Sequence, residues 1–259
     1  MIMVFGGTTE GKQVARFLDK KGMEYIYSTR TETEPFFMKC GEYRFGALDE
    51  QLMVSLFRAR KVDAVIDAAH PFASLLHETI ARVCRQFALT VIRFERNYDL
   101  PEGAVQRDNV HYANSFPEAI DLLKALSPQR VLAMTGVQTI KLLRPYWNKY
   151  EMKVRILPSG RSVLLASEQG FPLGDLILMK PSGVMEEECR IIIAYGIDCL
   201  LVKESGASGF LPVKTGAALA CRIPVVIVKR PLLPGSFITV TTGDGLSREI
   251  ERIGQVNHA

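Results

Sequence analysis

No stretch of the 259 residues offers the roughly 18 consecutive apolar positions of a membrane-spanning helix. The amino terminus lacks the basic run and long apolar core of a secretory leader, since Met1 to Phe5 passes straight into a glycine turn. The five cysteines (Cys40, Cys84, Cys189, Cys199 and Cys221) are odd in number and show no C-x-x-C spacing. That pattern argues against a disulfide framework, a zinc site and a dithiol redox motif, and for buried thiols in a reducing compartment. Histidine is scarce, and His70, His77, His111 and His258 have no metal-ligand spacing, so no metal site is expected. A basic run or stripe is also missing: 32 Lys and Arg stand against 28 Asp and Glu, a net charge of +4. This excludes a sequence-independent nucleic-acid binder and leaves room for a local pocket that takes an acidic small molecule. The expectation is a cytoplasmic protein with neither nucleic acid nor membrane as partner. Monomer and homodimer stay open.

What is present is a regular alternation. With 47% apolar and 23% charged residues the chain is globular in composition. Short apolar runs over 2–5, 24–28, 43–45, 64–68 and 90–94 alternate with amphipathic stretches over 10–21 and 73–87 and with a helix capped by Asp49 that carries Leu52, Met53, Leu56 and Phe57 on its inner face. Between 95 and 110 the rhythm breaks, and it resumes with strands over 130–134, 153–157, 175–179, 199–202 and 225–228, separated by helices that include 138–147. Strands separated by helices imply parallel sheets with right-handed crossovers. The fold class is α/β, with two Rossmann-like doubly wound domains of mainly parallel sheet, one over 1–97 and one over 98–259.

In such sheets ligands gather beyond the carboxyl ends of the strands. The residues that leave those ends are Gly6-Gly7-Thr8-Thr9, Ser28-Thr29-Arg30, His70-Pro71, Thr135-Gly136, Lys180-Pro181-Ser182-Gly183 and Lys203-Glu204-Ser205-Gly206. Gly6, Gly7, Thr8 and Thr9 form a strand-to-helix turn suited to a pyrophosphate, with exposed backbone N–H groups and the positive end of a helix dipole. Gly6 to Lys12 also fits the phosphate loop of NTPases, but Gln13 stands where a magnesium-holding hydroxyl is required. At the end of the second strand no acid waits for a ribose 2′-hydroxyl, whereas Ser28 and Arg30 suit a 2′-phosphate. NADPH is therefore favoured, with NADH as the alternative. His70 is a binding residue or a candidate proton donor. Thr135 and Gly136 are expected on the cofactor. Lys203, Glu204, Ser205, Gly206, Lys214 and Arg230 are expected to hold carboxylates or phosphates. A short-chain dehydrogenase would need a Tyr-x-x-x-Lys pair, and Tyr146 with Lys149 and Tyr150 misses that spacing. A non-catalytic NADPH-sensing protein is a further alternative.

The sequence resembles the precorrin-6A reductase family of cobalamin biosynthesis over nearly its whole length. The resemblance rests on ordered blocks: Gly6-Gly7-Thr8-Thr9-Glu10-Gly11, Asp67-Ala68-Ala69-His70-Pro71-Phe72-Ala73, Phe94-Glu95-Arg96, Met134-Thr135-Gly136, Lys203-Glu204-Ser205-Gly206, and Ile223-Pro224-Val225-Val226-Ile227-Val228-Lys229-Arg230-Pro231. The chain departs from the family pattern at Lys180-Pro181-Ser182-Gly183. The resemblance implies NAD(P)H-dependent reduction of a double bond in precorrin-6A, or in its cobalt-bearing equivalent. It also implies two Rossmann-like domains with cofactor and tetrapyrrole in the cleft between them. A macrocycle with many acetate and propionate arms calls for several cations, for which Arg155, Arg161, Lys180, Lys203, Lys214 and Arg230 are available.

Overall fold

The computed structural model describes residues 1–95, 109–205 and 209–256, so Arg96 and Gly206 lie outside the described residues. The chain divides into two compact units, one of Met1–Asn97 with Leu232–Ala259 and the other of Tyr98–Pro231. In chain order the first strands are β1 (Ile2–Phe5), β2 (Tyr25–Thr29), β3 (Gly41–Phe45), β4 (Ala64–Asp67) and β5 (Val91–Phe94). They are followed by β6 (Val110–Ala113), β7 (Val131–Ala133), β8 (Met152–Ile156), β9 (Leu176–Leu178), β10 (Cys199–Lys203), β11 (Val225–Val228) and β12 (Phe237–Val240). The helices are α1 (Thr9–Lys21), α2 (Glu50–Arg60), α3 (Ser74–Gln86), α4 (Phe116–Leu126), α5 (Arg144–Trp147), α6 (Gly160–Glu168), α7 (Met185–Ala194), α8 (Leu211–Ala220) and α9 (Gly243–Val256).

Each unit holds one six-stranded sheet, ordered β12-β5-β4-β1-β2-β3 in the first and β6-β11-β10-β7-β8-β9 in the second. Every pairing is parallel. Both orders are the doubly wound arrangement, with strand succession reversing between β4 and β1 in the first sheet and between β10 and β7 in the second. The sixth place is filled out of sequence in both sheets. β6 follows β5 in the chain but joins the second sheet, and β12 follows β11 but joins the first.

This corrects the assignment of 98–259 to the second domain, because the chain beyond Pro231 belongs to the first unit. The physical reason is burial. β12 pairs with β5 from Phe237↔Val91 to Val240↔Phe94, and α9 places Leu246, Ile250 and Ile253 in the first core. A second difference concerns the helix expected over 138–147, which is a 3₁₀ turn over Val137–Leu143 followed by the single turn of α5. Pro145 lacks the N–H that a continuous α-helix would use there.

The first sheet is covered on both faces. Val4, Ile66 and Ile92 pack with Val14, Leu18 and the α9 residues on one side. Met3, Phe5, Val65 and Val91 pack with Met53, Phe57, Ile80 and Val83 on the other. In the second unit Leu132, Leu200, Val202 and Ile227 pack against Ile191 and Ile192 of α7 and Leu211 and Ala217 of α8. Helix starts follow side-chain caps, with Thr8 Oγ1 accepting the Gly11 N–H and Asp49 accepting that of Leu52. No helix among the described residues is long and apolar enough to cross a membrane.

Candidate active site

In the first unit strand order reverses between β1 and β4. The loops leaving those two strands are tied together. Thr8 Oγ1 donates to the Ala68 carbonyl at 2.7 Å while it accepts the Gly11 N–H at 3.0 Å. Gly6 N–H donates to the Ser28 carbonyl at 2.9 Å, which joins the same loop to β2.

The glycines of this loop do different things. A Cβ on Gly6 would lie 2.2 Å from the Tyr27 ring, and one on Gly11 would lie 2.7 Å from its hydroxyl. Those two positions are bare so that the Tyr27 phenol can lie beneath the loop. Gly7 is bare for its backbone: φ is +93° and the nearest atom to an added Cβ is Thr29 Cγ2 at 3.8 Å. Its N–H donates to Tyr27 Oη at 3.0 Å. Burial raises the Tyr27 pKa against the opposing Gly7 hydrogen bond, so the phenol keeps its proton. Among the described residues the N–H groups of Thr8 and Thr9 have no hydrogen-bond partner. Lys12 rests its ammonium 5.4 Å above the Phe36 ring, an arrangement unlike that of a phosphate-loop lysine.

At the next strand end Ser28 is buried, while Arg30 is exposed and without a partner among the described residues. A cation that sequence reasoning missed sits alongside. Arg44 of β3, paired in register with Ser28, donates from Nη1 to Ser28 Oγ at 2.6 Å.

His70 is exposed, and its Nδ1 accepts the Phe72 N–H at 3.2 Å, which leaves Nε2 to carry the proton of the neutral ring. Beneath it lies a buried ionic cluster that was also missed. Arg93 Nη1 donates to Asp67 Oδ2 at 2.9 Å, and Arg93 Nε and Nη2 donate to Glu95 Oε1. His77 Nδ1 lies 2.8 Å from Asp67 Oδ2, not aligned for a hydrogen bond, and its Nε2 donates to the His70 carbonyl at 3.2 Å. Burial alone would raise the Asp67 pKa, but His77, Arg93 and the Ala69 N–H outweigh it and hold the carboxyl below its usual range. The cluster clamps the backbone that presents His70. The sequence signal was a charged residue inside each of two apolar strands, Asp67 and Arg93.

The second sheet reverses between β7 and β10. Thr135 and Gly136 leave β7, so they stand in a different unit from the glycine loop with which they were grouped. Thr135 is buried and its Oγ1 lies 2.7 Å from that of Thr139, which in turn donates to the Gly136 carbonyl at 2.8 Å. Lys203 ends β10, and burial pushes its pKa down to about 8. Lys214 on α8 is 5% exposed and donates to the Gly209 carbonyl at 2.7 Å. Burial, then the charges of Arg155 and Lys203, push its pKa down to about 8 against the opposing pull of Glu188. Arg155 of β8 donates from Nη1 to both Glu188 oxygens at 2.9 and 2.7 Å, while its buried Nη2 has no partner. Three cations and one carboxylate thus share a largely dry region.

Other expected contacts are spent internally. Arg230 donates its N–H to Glu204 Oε2 at 2.9 Å and its Nε to the Glu204 carbonyl at 3.0 Å, a clasp between the ends of β10 and β11. Ser205 lies against Gly209, where an added Cβ would come 1.9 Å from Oγ. Arg161 and Lys180 are exposed. Tyr146 is buried and pushed up to about 12, chiefly by that burial, which makes it unfit for dehydrogenase-type proton transfer. A shallow depression lined by Met1, Met23, Val62 and Ile253 opens at the amino ends of the first sheet, the edge without these groups.

Against this arrangement, a family model described as precorrin-6x reductase CbiJ/CobK matches residues 1–251. The chain belongs to that family. The cobalt-precorrin-6A reductase of Methanothermobacter thermautotrophicus is 30% identical over 238 residues, covering 89% of this chain and 76% of the relative. That of Salmonella typhimurium is 26% identical over 247 residues, covering 95% and 90%. A solved structure titled CobK precorrin-6A reductase superposes with a TM-score of 0.75 at 23% identity, covering 98% of this chain and 96% of that one, and shows the same fold. A precorrin-6x reductase is an oxidoreductase that draws on a nicotinamide cofactor. The first unit fits that group. Gly7 leaves an open cradle, and Thr8 and Thr9 keep two backbone donors at the start of α1.

Proposed function

We propose that this chain reduces one double bond of the precorrin-6A macrocycle, metal-free or cobalt-bearing, with NADPH as the reductant. The observation that carries the reading is the division of chemistry between two strand-end edges within a precorrin-6x reductase. One edge offers a glycine cradle and the other offers buried cations.

When bound, a reduced nicotinamide supplies the hydride. The chain's own residues bind and orient. The Thr8 and Thr9 N–H groups and the α1 dipole hold the pyrophosphate, and Gly7 lets it approach the backbone, with Gly6 seating the loop on Tyr27. Ser28 and Arg30 meet the 2′-phosphate. In the second unit Lys203, Lys214 and the open Nη2 of Arg155 take substrate carboxylates by charge-assisted hydrogen bonds. Ser205 adds a hydroxyl to that edge, and the clasp of Glu204 with Arg230 keeps the Lys203 loop in place. The proton that completes the reduction is held by His70 at Nε2 or by one of the two lysines whose pKa is lowered to about 8. Five free thiols fit a cytoplasmic site of action.

The test is consumption of NADPH, followed by its near-ultraviolet absorbance, with precorrin-6A or its cobalt form as acceptor. A stoichiometric loss of absorbance with formation of a dihydro product supports the reading. A flat trace at saturating, demonstrably bound cofactor contradicts it and points to a sensor.

A further inference from the structure

Two arginines stand at the β2–β3 corner of the first unit, and they differ in how they are held. Arg30 follows β2 as an exposed side chain with no partner among the described residues. Arg44 is half-buried and fixed by three neutral oxygens: Ser28 Oγ at 2.6 Å, the Phe45 carbonyl at 3.1 Å and the Gly46 carbonyl at 3.0 Å. Gly46 is at φ +113°, and a Cβ there would crowd Arg44 Nη2 at 3.3 Å. Its N–H donates to the Thr29 carbonyl at 3.1 Å, so the turn that cages the guanidinium is anchored on β2.

No carboxylate pairs with Arg44 among the described residues, and burial alone lowers its pKa. The guanidinium therefore keeps a whole positive charge with no countercharge, held by dipoles in one orientation. Its Nε–H and second Nη1–H are not spent on these three bonds. Ser28 Oγ already accepts from Arg44, so its own proton is left to donate onward. The Ser28 carbonyl holds the Gly6 N–H at 2.9 Å, which puts this corner next to the glycine cradle. In a doubly wound sheet the adenosine ribose of a dinucleotide bound at the β1 turn reaches the end of β2.

We propose that Arg44, braced on Ser28, is the residue that reads the 2′-phosphate of NADPH in this chain, with Arg30 as an auxiliary contact. The inference rests on the nicotinamide reading above and adds to it the source of cofactor choice. Arg44 is orientated before binding, whereas Arg30 must give up side-chain freedom when it closes on a ligand. Arg44 therefore contributes the larger share of discrimination.

The experiment is a set of dissociation constants for NADPH, NADH, 2′,5′-ADP and 5′-AMP on the full chain and on Arg44→Gln, Arg44→Lys and Arg30→Ala, with the thermal midpoint of each. Arg44→Gln is expected to weaken NADPH and 2′,5′-ADP by about 10- to 100-fold, with NADH and 5′-AMP changing by no more than about threefold. Arg44→Lys should recover part of the loss, since it keeps charge without the fork. Arg30→Ala should cost less than Arg44→Gln. Equal loss of NADPH and NADH in Arg44→Gln would make Arg44 a structural brace and overturn the proposal. A natural chain that binds NADH as tightly as NADPH would overturn it too, while leaving the nicotinamide reading intact. A natural chain that binds neither dinucleotide would remove both.

Discussion

The two units share one strand order but furnish their carboxyl edges from different chemical stock. The first edge works with backbone N–H groups, hydroxyls, a neutral phenol and, at its β2–β3 corner, the cations Arg30 and Arg44, while its buried Arg93 is matched by Asp67 and Glu95. The second edge buries more positive charge than negative, with Arg155, Lys203 and Lys214 against Glu188. The same scaffold thus carries two different kinds of polar edge. In the proposed division a pyrophosphate meets backbone geometry, with Gly7 at φ +93°, whereas scattered carboxylates meet long cationic side chains that reach different positions. The lowered pKa values of the two lysines show that the second edge is maintained at a cost in solvation.

The sharpest way to break the comparison is to remove the anion from each buried cluster. Glu188→Gln should destabilise the fold by about 3–5 kcal/mol, measured by urea titration, because it leaves the Arg155 guanidinium uncompensated, and Asp67→Asn should cost less, because Arg93 keeps Glu95. Replacing Arg155 and Glu188 together by apolar residues should recover most of the stability but not substrate binding. A loss below about 1 kcal/mol in either single variant would mean that the cluster is effectively solvated.

Next in size is Gly6→Ala. The added methyl meets the Tyr27 ring, so overpacking should cost about 1–3 kcal/mol and distort the cradle. Cofactor affinity should fall with it, and a second change, Tyr27→Leu, should restore stability more than it restores affinity. The third test uses pH. Lys203 and Lys214 are charged below about 8 and lose their charge above it. Substrate affinity should be full below pH 8 and fall as pH rises through it, while NADPH affinity stays flat between about pH 7 and 9. A cofactor profile with the same inflection would dissolve the distinction between the edges. The smallest effect belongs to Tyr27→Phe, which strips the Gly7 N–H of its acceptor. It should cost about 0.5–1.5 kcal/mol of stability and shift cofactor affinity only a few-fold.

Much of this architecture was legible because α/β chains announce themselves through alternation and through glycine or hydroxyl residues at strand ends. The apolar runs over 2–5, 64–68 and 225–228 could be read as strands and are β1, β4 and β11. Four things were hidden for physical reasons. The return of 232–259 to the first sheet depends on a long-range pairing, β12 with β5, although Leu246, Ile250 and Ile253 already show helical spacing. Arg44 lies in a short strand whose partner is set by register, so its proximity to Ser28 could not be read from spacing. Tyr27 explains two glycines that the motif alone attributes to a phosphate. Arg155 was visible as a cation, but its partner Glu188 sits in the first turn of α7 among other acids, and nothing in sequence marks it as the buried one.

The most direct test is a pair of dissociation constants measured on a single variant, Lys214→Met, for NADPH and for the tetrapyrrole. Tetrapyrrole binding should weaken by about tenfold or more through the loss of one desolvated cation, with NADPH unchanged. Weakened NADPH with an intact tetrapyrrole affinity would contradict the division of labour between the two edges.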